Sequence, residues 1–162
     1  MQLGLHFRLD EAEIAPVLAA AGDDARLLRL LARLEEDPAV FARACETDKA
    51  WDPIACALSP AGEDGPWPAR GVIGGARPLH VDDEESWVTH LSPDEAAEVA
   101  GFLHGLDDAQ FSRAYATMPE ELRNPEYGPD EERYALGWLS ELRTFFAAAS
   151  AERAHVVFSV LH

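Results

Sequence analysis

Asp48, Lys49, Trp51 and Asp52 fall within one short segment, Asp48-Lys49-Ala50-Trp51-Asp52, where the chain concentrates its chemically capable side chains. Lys49 is the only lysine; the other twelve basic residues are arginines. An ammonium is a compact charge whose pKa falls readily on burial, and a guanidinium does not replace it at such a site. Asp48 and Asp52 are spaced to hold that ammonium. Trp51 is placed to pack beneath it or to offer a stacking face to a ligand. The same residues also read as a structural knot, a buried Trp with an ion pair fixing the entry of a helix. Both readings stay open in the sequence. His90 and Tyr127 join Asp48, Lys49, Trp51 and Asp52 as the candidate ligand-binding set.

Other chemistries find weaker support. No Gly-x-Ser-x-Gly elbow or Cys-His signature is present, so no catalytic residue is expected. Cys45 and Cys56 lack Cys-x-x-Cys spacing, and Cys56 sits in apolar company without a nearby cation, which predicts an inert thiol. Gly71-Val-Ile-Gly74-Gly75 matches no phosphate-cradling motif and reads as glycines that permit positive φ or a close backbone approach. His80 with Asp82, Asp83, Glu84 and Glu85 fits neither an EF-hand nor a zinc pattern, and reads as a solvated acidic loop. No metal and no cofactor are expected. Thirty acids offer no spacing that singles out an acid–base pair.

The elements that must position these residues follow from periodicity and capping. Residues 2–8 alternate as a strand, with Leu3, Leu5 and Phe7 on one face. Asp10 and Glu13 form a capping box, with Leu9 and Ile14 as its hydrophobic staple, and Ile14, Val17, Leu18 and Ala21 make the buried stripe before Gly22. A helix over 24–35 buries Leu27, Leu30, Leu31 and Leu34. Its basic stripe, Arg26, Arg29 and Arg33, reads as a solvated face paired with acids such as Glu36 and Asp37. Asp37-Pro38 starts a short helix running through Val40, Phe41 and Cys45. After the box, either Asp52 caps a helix with Pro53 at its first position, or an earlier helix kinks there.

Residues 59–70 are turn-forming, Val72-Ile73 suits a brief strand and Gly74-Gly75 a turn or bulge. Residues 87–91 read as a strand. Ser92-Pro93-Asp94-Glu95 and Asp107 with Gln110 open two more helices, ending near Gly105 and Ala116. Residues 118–129 are a loop, and 130–150 the strongest helix. Residues 154–161 are a strand with apolar residues on both faces, as a central covered strand requires. The sum is an α+β fold: a single domain over residues 1–162, with several helices on a small mixed or antiparallel sheet built from the N- and C-terminal strands plus central strands.

At 162 residues the chain has one domain's length, and its 48% apolar content supports a core without disulfides or metal. Thirteen basic residues against 30 acidic give a net charge of −17. The imbalance is spread unevenly, −4 over residues 1–46 and −13 over 47–162. Such a surface repels phosphate backbones and anionic lipid, so neither nucleic acid nor membrane is an expected partner, whereas a basic protein is compatible with it. The first residues lack a basic region followed by a long apolar run, and no stretch approaches 18 apolar residues, which predicts a cytoplasmic protein.

The order of landmarks resembles the YfbM-like family. The N-terminal strand, the Asp48-Lys49-x-Trp51-Asp52 box, Gly71-x-x-Gly74-Gly75 and Leu91-Ser92-Pro93-Asp94-Glu95 carry the likeness. So do Met118, Tyr127, Leu142-Arg143 followed by paired aromatics, and the closing strand. The resemblance covers essentially the whole chain. It implies a small bacterial α+β protein without an established activity. Pro53 after the box and Gly128 after Tyr127 depart from the family pattern.

Two functions fit. The leading one is a non-catalytic module whose acidic C-terminal two-thirds binds a basic protein, and neutralises it, by charge complementarity. The other is a small-molecule binder or enzyme with a pocket near the box, His90 and Tyr127. The oligomeric state is not legible.

Overall fold

The computed structural model describes residues 2–82 and 86–161. The expected loop residues Asp83, Glu84 and Glu85 lie outside them. The chain opens with β1 (Gly4–Leu9), followed by α1 (Glu11–Ala19), α2 (Asp24–Glu36) and α3 (Pro38–Phe41). Next come β2 (Cys45–Asp48) and α4 (Trp51–Leu58). An irregular segment with 3-10 turns at Gly62–Asp64 and Ala69–Gly71 leads into β3 (Arg77–Pro78) and β4 (Ser86–Leu91). Then α5 (Pro93–Gly105), α6 (Asp108–Thr117), α7 (Glu131–Glu152) and β5 (His155–Leu161) complete the domain.

The five strands form one antiparallel sheet in the order β2-β1-β5-β4-β3. The strands nearest the two chain ends therefore lie side by side, with β5 in the centre. Helices cover both faces. Val156, Phe158 and Val160 of β5 join the core under α4, α5, α6 and α7, while Val157 joins Leu5, Phe7 and Leu9 under α1 and α2. Apolar residues on both sides of β5 are what a doubly covered strand needs.

Capping fixes where the helices begin. Asp10 accepts from the Glu13 N–H at 2.8 Å while Glu13 accepts from the Asp10 N–H at 3.0 Å. Ser92 with Glu95 and Asp107 with Gln110 make the same reciprocal pair. Each box satisfies two backbone donors that a helix start leaves unpaired.

Several local expectations are corrected. α3 stops at Phe41, and Cys45 opens an edge strand instead of ending that helix. Tertiary pairing with β1 outweighs the short helical pattern there. Pro53 is neither the first helical residue nor a kink. α4 begins at Trp51 with Ala50 as its uncapped flank, so Pro53 is third and its missing N–H is one of the unbonded first-turn donors anyway. Val72-Ile73 is buried but not a strand; the short strand is Arg77–Pro78. The stripe of α1 is Ile14, Val17 and Ala20, leaving Leu18 37% exposed and Ala21 in solvent. In α2 only Leu27 and Leu31 are fully buried. Arg26, Arg29 and Arg33 are exposed as expected but form no ion pair among the described residues.

Candidate functional site

The box closes the corner between β2 and α4. Asp48 ends β2 with φ +46, a left-handed conformation that Asp tolerates better than most residues. Its carboxylate accepts a short hydrogen bond from the Tyr134 hydroxyl, whose oxygen accepts in turn from the Lys49 N–H at 3.2 Å. Burial and the Asp48 bond push Tyr134 up to about 12. Tyr127 stacks on Tyr134 with ring centroids 6.0 Å apart. Asp52 faces Cys56, and burial raises its pKa, with Glu131 adding like-charge repulsion.

Neither carboxylate holds the lone lysine: Lys49 makes no ion pair among the described residues. Trp51 lies elsewhere again. Its indole donates to the Gln2 carbonyl at 2.9 Å, and its ring meets Trp87 and Phe158 edgewise or tilted at 5.9 and 6.4 Å. A Cβ on Gly4 would lie 2.8 Å from that ring. Trp51 thus locks β1 against α4, the structural-knot reading, although without the expected lysine pair.

His90 is not part of the box. It sits on β4, 4% exposed, at the middle of a hydrogen-bonded chain. Arg77 Nη1 lies 2.9 Å from His90 Nδ1, His90 Nε2 lies 3.0 Å from His155 Nδ1, and His155 Nε2 lies 2.7 Å from Glu11 Oε1. Arginine only donates, so His90 Nδ1 accepts, and the direction of every later bond follows: His90 donates to His155, which donates to Glu11. The second terminal nitrogen of Arg77 binds Glu95 at 2.6 Å. Burial, the Arg77 charge and His155 hold His90 down at about 4. His155, Arg77 and Glu11 are absent from the expected set because no spacing links residues so far apart in sequence.

A second omission is Glu131, 1% exposed and without a cationic partner among the described residues. The Tyr115 hydroxyl donates to it at 2.9 Å and the Asn124 N–H at 3.2 Å, and its place in the first turn of α7 gives it the favourable end of the helix dipole.

Burial pushes both thiols, Cys45 and Cys56, up to about 12, in keeping with inert cysteines. Among the described residues no three His, Cys, Asp or Glu side chains are grouped to hold a metal ion, and no helix is long and apolar enough to cross a membrane.

A concavity lies beside the box, not at it. A cavity of about 310 Å³ opens between α4, the segment leading to β3, and β4. Leu58, Val72, Ile73 and Trp87 supply apolar wall, and Arg70 and Arg77 stand at it with Glu63. Gly74 and Gly75, at φ +91 and +58, let the backbone pass close over β4, because a Cβ on Gly74 would collide with the Trp87 indole and one on Gly75 would lie 2.8 Å from the Thr89 hydroxyl. None of Asp48, Lys49, Trp51, Asp52, His90 and Tyr127 lines this cavity.

An open antiparallel sheet with both faces covered, a tyrosine-locked corner and a glycine-walled cavity define the class: a small α+β domain. The model of a domain of unknown function, DUF1877, matches residues 2–159, and the chain belongs to that family. The YfbM-like resemblance holds in the fold. The crystal structure of YfbM, a protein of unknown function from Escherichia coli, superposes with a TM-score of 0.71 at 14% identity, covering 98% of this chain and 99% of that one. No curated protein sequence matches the chain.

Proposed function

We propose that this protein binds a small organic molecule in the cavity beside α4, which moves the expected pocket away from the box itself. The cavity carries the reading: about 310 Å³ of largely apolar wall with a few charged groups is the form such sites take. Two of only thirteen bases stand at it, in a chain of net charge −17. The test is a thermal-shift screen with metabolites on the wild type and on Ala55→Phe, which fills the cavity from α4. A ligand that raises Tm in the wild type alone supports the reading; none, or one that acts equally on both, overturns it.

A second reading, capture of a basic protein, draws on one surface. Residues 107–132 hold eight acids, seven of them at the surface beside the buried Glu131, and two arginines, of which Arg123 is engaged with the Tyr115 and Ala116 carbonyls. Native mass spectrometry of gently purified, low-salt protein separates the two readings, because an added chain and an added small mass differ plainly. Binding of a basic chain must then weaken with salt. Two unpaired cysteines favour a reducing, cytoplasmic setting for either.

A further inference from the structure

We propose that the outer face of α7 pairs with the same face of a second copy of this chain, giving a two-fold dimer whose helices run antiparallel and cross at Gly137. This surface shares no residue with the cavity beside α4 and is independent of both readings above. α7 is the longest helix, 22 residues or about 33 Å. It sends Ala135, Leu139, Leu142, Phe146 and Ala149 into the core. Opposite them, Gly137, Ser140, Thr144, Ala147 and Ala151 are exposed and uncharged. The exposed face of α2 instead carries Arg26, Arg29, Arg33, Glu35 and Glu36, as a solvated face does. In a chain of net charge −17, an outward helix face poor in charge has the composition of a contact core, from which charged residues are depleted.

The same face is concave. A shallow, largely apolar hollow of about 500 Å³ is lined by Arg133, Tyr134, Gly137, Trp138 and Glu141. Trp138 and Glu141 also line a groove of about 390 Å³ that reaches Phe41, at 42% the most exposed aromatic among the described residues. Gly137 forms the notch. A Cβ there would meet nothing within 4 Å, so the fold of one chain does not call for glycine at a position where any residue but proline makes the better helix. What a missing side chain allows is the close approach of another backbone.

Charge identifies the occupant. Arg133 stands one turn before Gly137 and Glu141 one turn after it, each about 6 Å along the axis. Glu141 makes no ion pair among the described residues, and Arg133 only a solvent-exposed contact with Asp130 at 3.6 Å. A two-fold through Gly137 reverses the second helix, so Arg133 meets the partner's Glu141 and Glu141 meets the partner's Arg133. One operation satisfies both ends, which is what an isologous contact requires. Gly101 of α5 is equally open, but Ala97 and Gly105 stand one turn to either side of it and offer no such pair. Charge elsewhere on the two copies is screened beyond about 8 Å at physiological salt, so their long-range repulsion does not prevent contact.

Sedimentation equilibrium at physiological salt should show the wild type passing from one chain to two between about 1 µM and about 300 µM, and no further, because a two-fold contact closes. A monomer throughout, or growth beyond two chains, overturns the proposal. Glu141→Arg and Arg133→Glu should each weaken the dimer at least about tenfold, and the double reversal should restore it to within about threefold. Glu141→Arg lowers the net negative charge, so loss of its dimer is not bulk repulsion. Gly137→Leu should abolish the dimer with Tm unchanged or raised, since leucine is the better helix former and meets no neighbour there. A dimer that survives Gly137→Leu, single reversals without effect, or a double reversal that restores nothing overturns the crossing at Gly137. Native mass spectrometry supplies the last arm: a different chain, bound to the wild type and lost in Gly137→Leu, gives the face to that partner and overturns the self-pairing.

Discussion

His90 donates through Nε2 to Nδ1 of His155 across 3.0 Å, and that bond joins two strands, a helix start and the sheet edge into one directed chain. Doubly protonating both rings would set two N–H groups against each other, so the folded chain holds at least one ring neutral.

Acid should therefore unfold the protein early. His6, wholly buried with Nε2 on the Val72 carbonyl and no partner for Nδ1, is held at about 4 by burial, as is His90 by burial and Arg77. Each value lies below that of the unfolded chain, so the unfolded state binds more protons between about pH 4 and 6.5. The stabilisation is full above that window and is lost as pH falls through it, by roughly 3 kcal/mol for His6 alone. Relief of acidic repulsion works the other way, so the decisive measurement is the difference from His6→Gln. Urea midpoints of the wild type should fall more steeply with acid than those of the variant.

Tyr134→Phe should cost about 1–3 kcal/mol. It strips the hydroxyl from the Asp48 carboxylate and from the Lys49 N–H together. Chemical denaturation reads the loss, and hydrogen exchange should quicken at the corner between β2 and α4.

Lys49→Arg should leave stability within about 0.5 kcal/mol, since Lys49 forms no ion pair among the described residues. Trp51→Ala should cost about 3 kcal/mol by removing the wedge between β1 and α4. Equal melting points for these two variants would contradict the structural-knot reading of the box.

Gly74→Ala should destabilise by more than about 1 kcal/mol, through a strained positive φ and a collision with the Trp87 indole. Melting temperature reports the cost, and a change in tryptophan emission would place it at the cavity wall.

The three capping boxes, the two terminal strands and the buried face of α7 from Ala135 to Ala149 were legible because each rests on neighbours a few residues apart. Bonds of that range are encoded by spacing, and spacing survives in a linear chain. The YfbM-like family was legible in the same way. Cys45 reads as helix in the sequence because its four-residue strand exists only by pairing with β1. The box was visible as a cluster of residue types. Its bonds were not, because Asp48 meets Tyr134 across 86 positions and therefore does not meet Lys49. His90 could be singled out, but its partner His155 stands 65 residues away and is set beside it by the register of two strands. Local hydrogen bonds were thus written in the sequence. The cavity and the histidine chain came only from the register of the whole sheet, which no single segment carries.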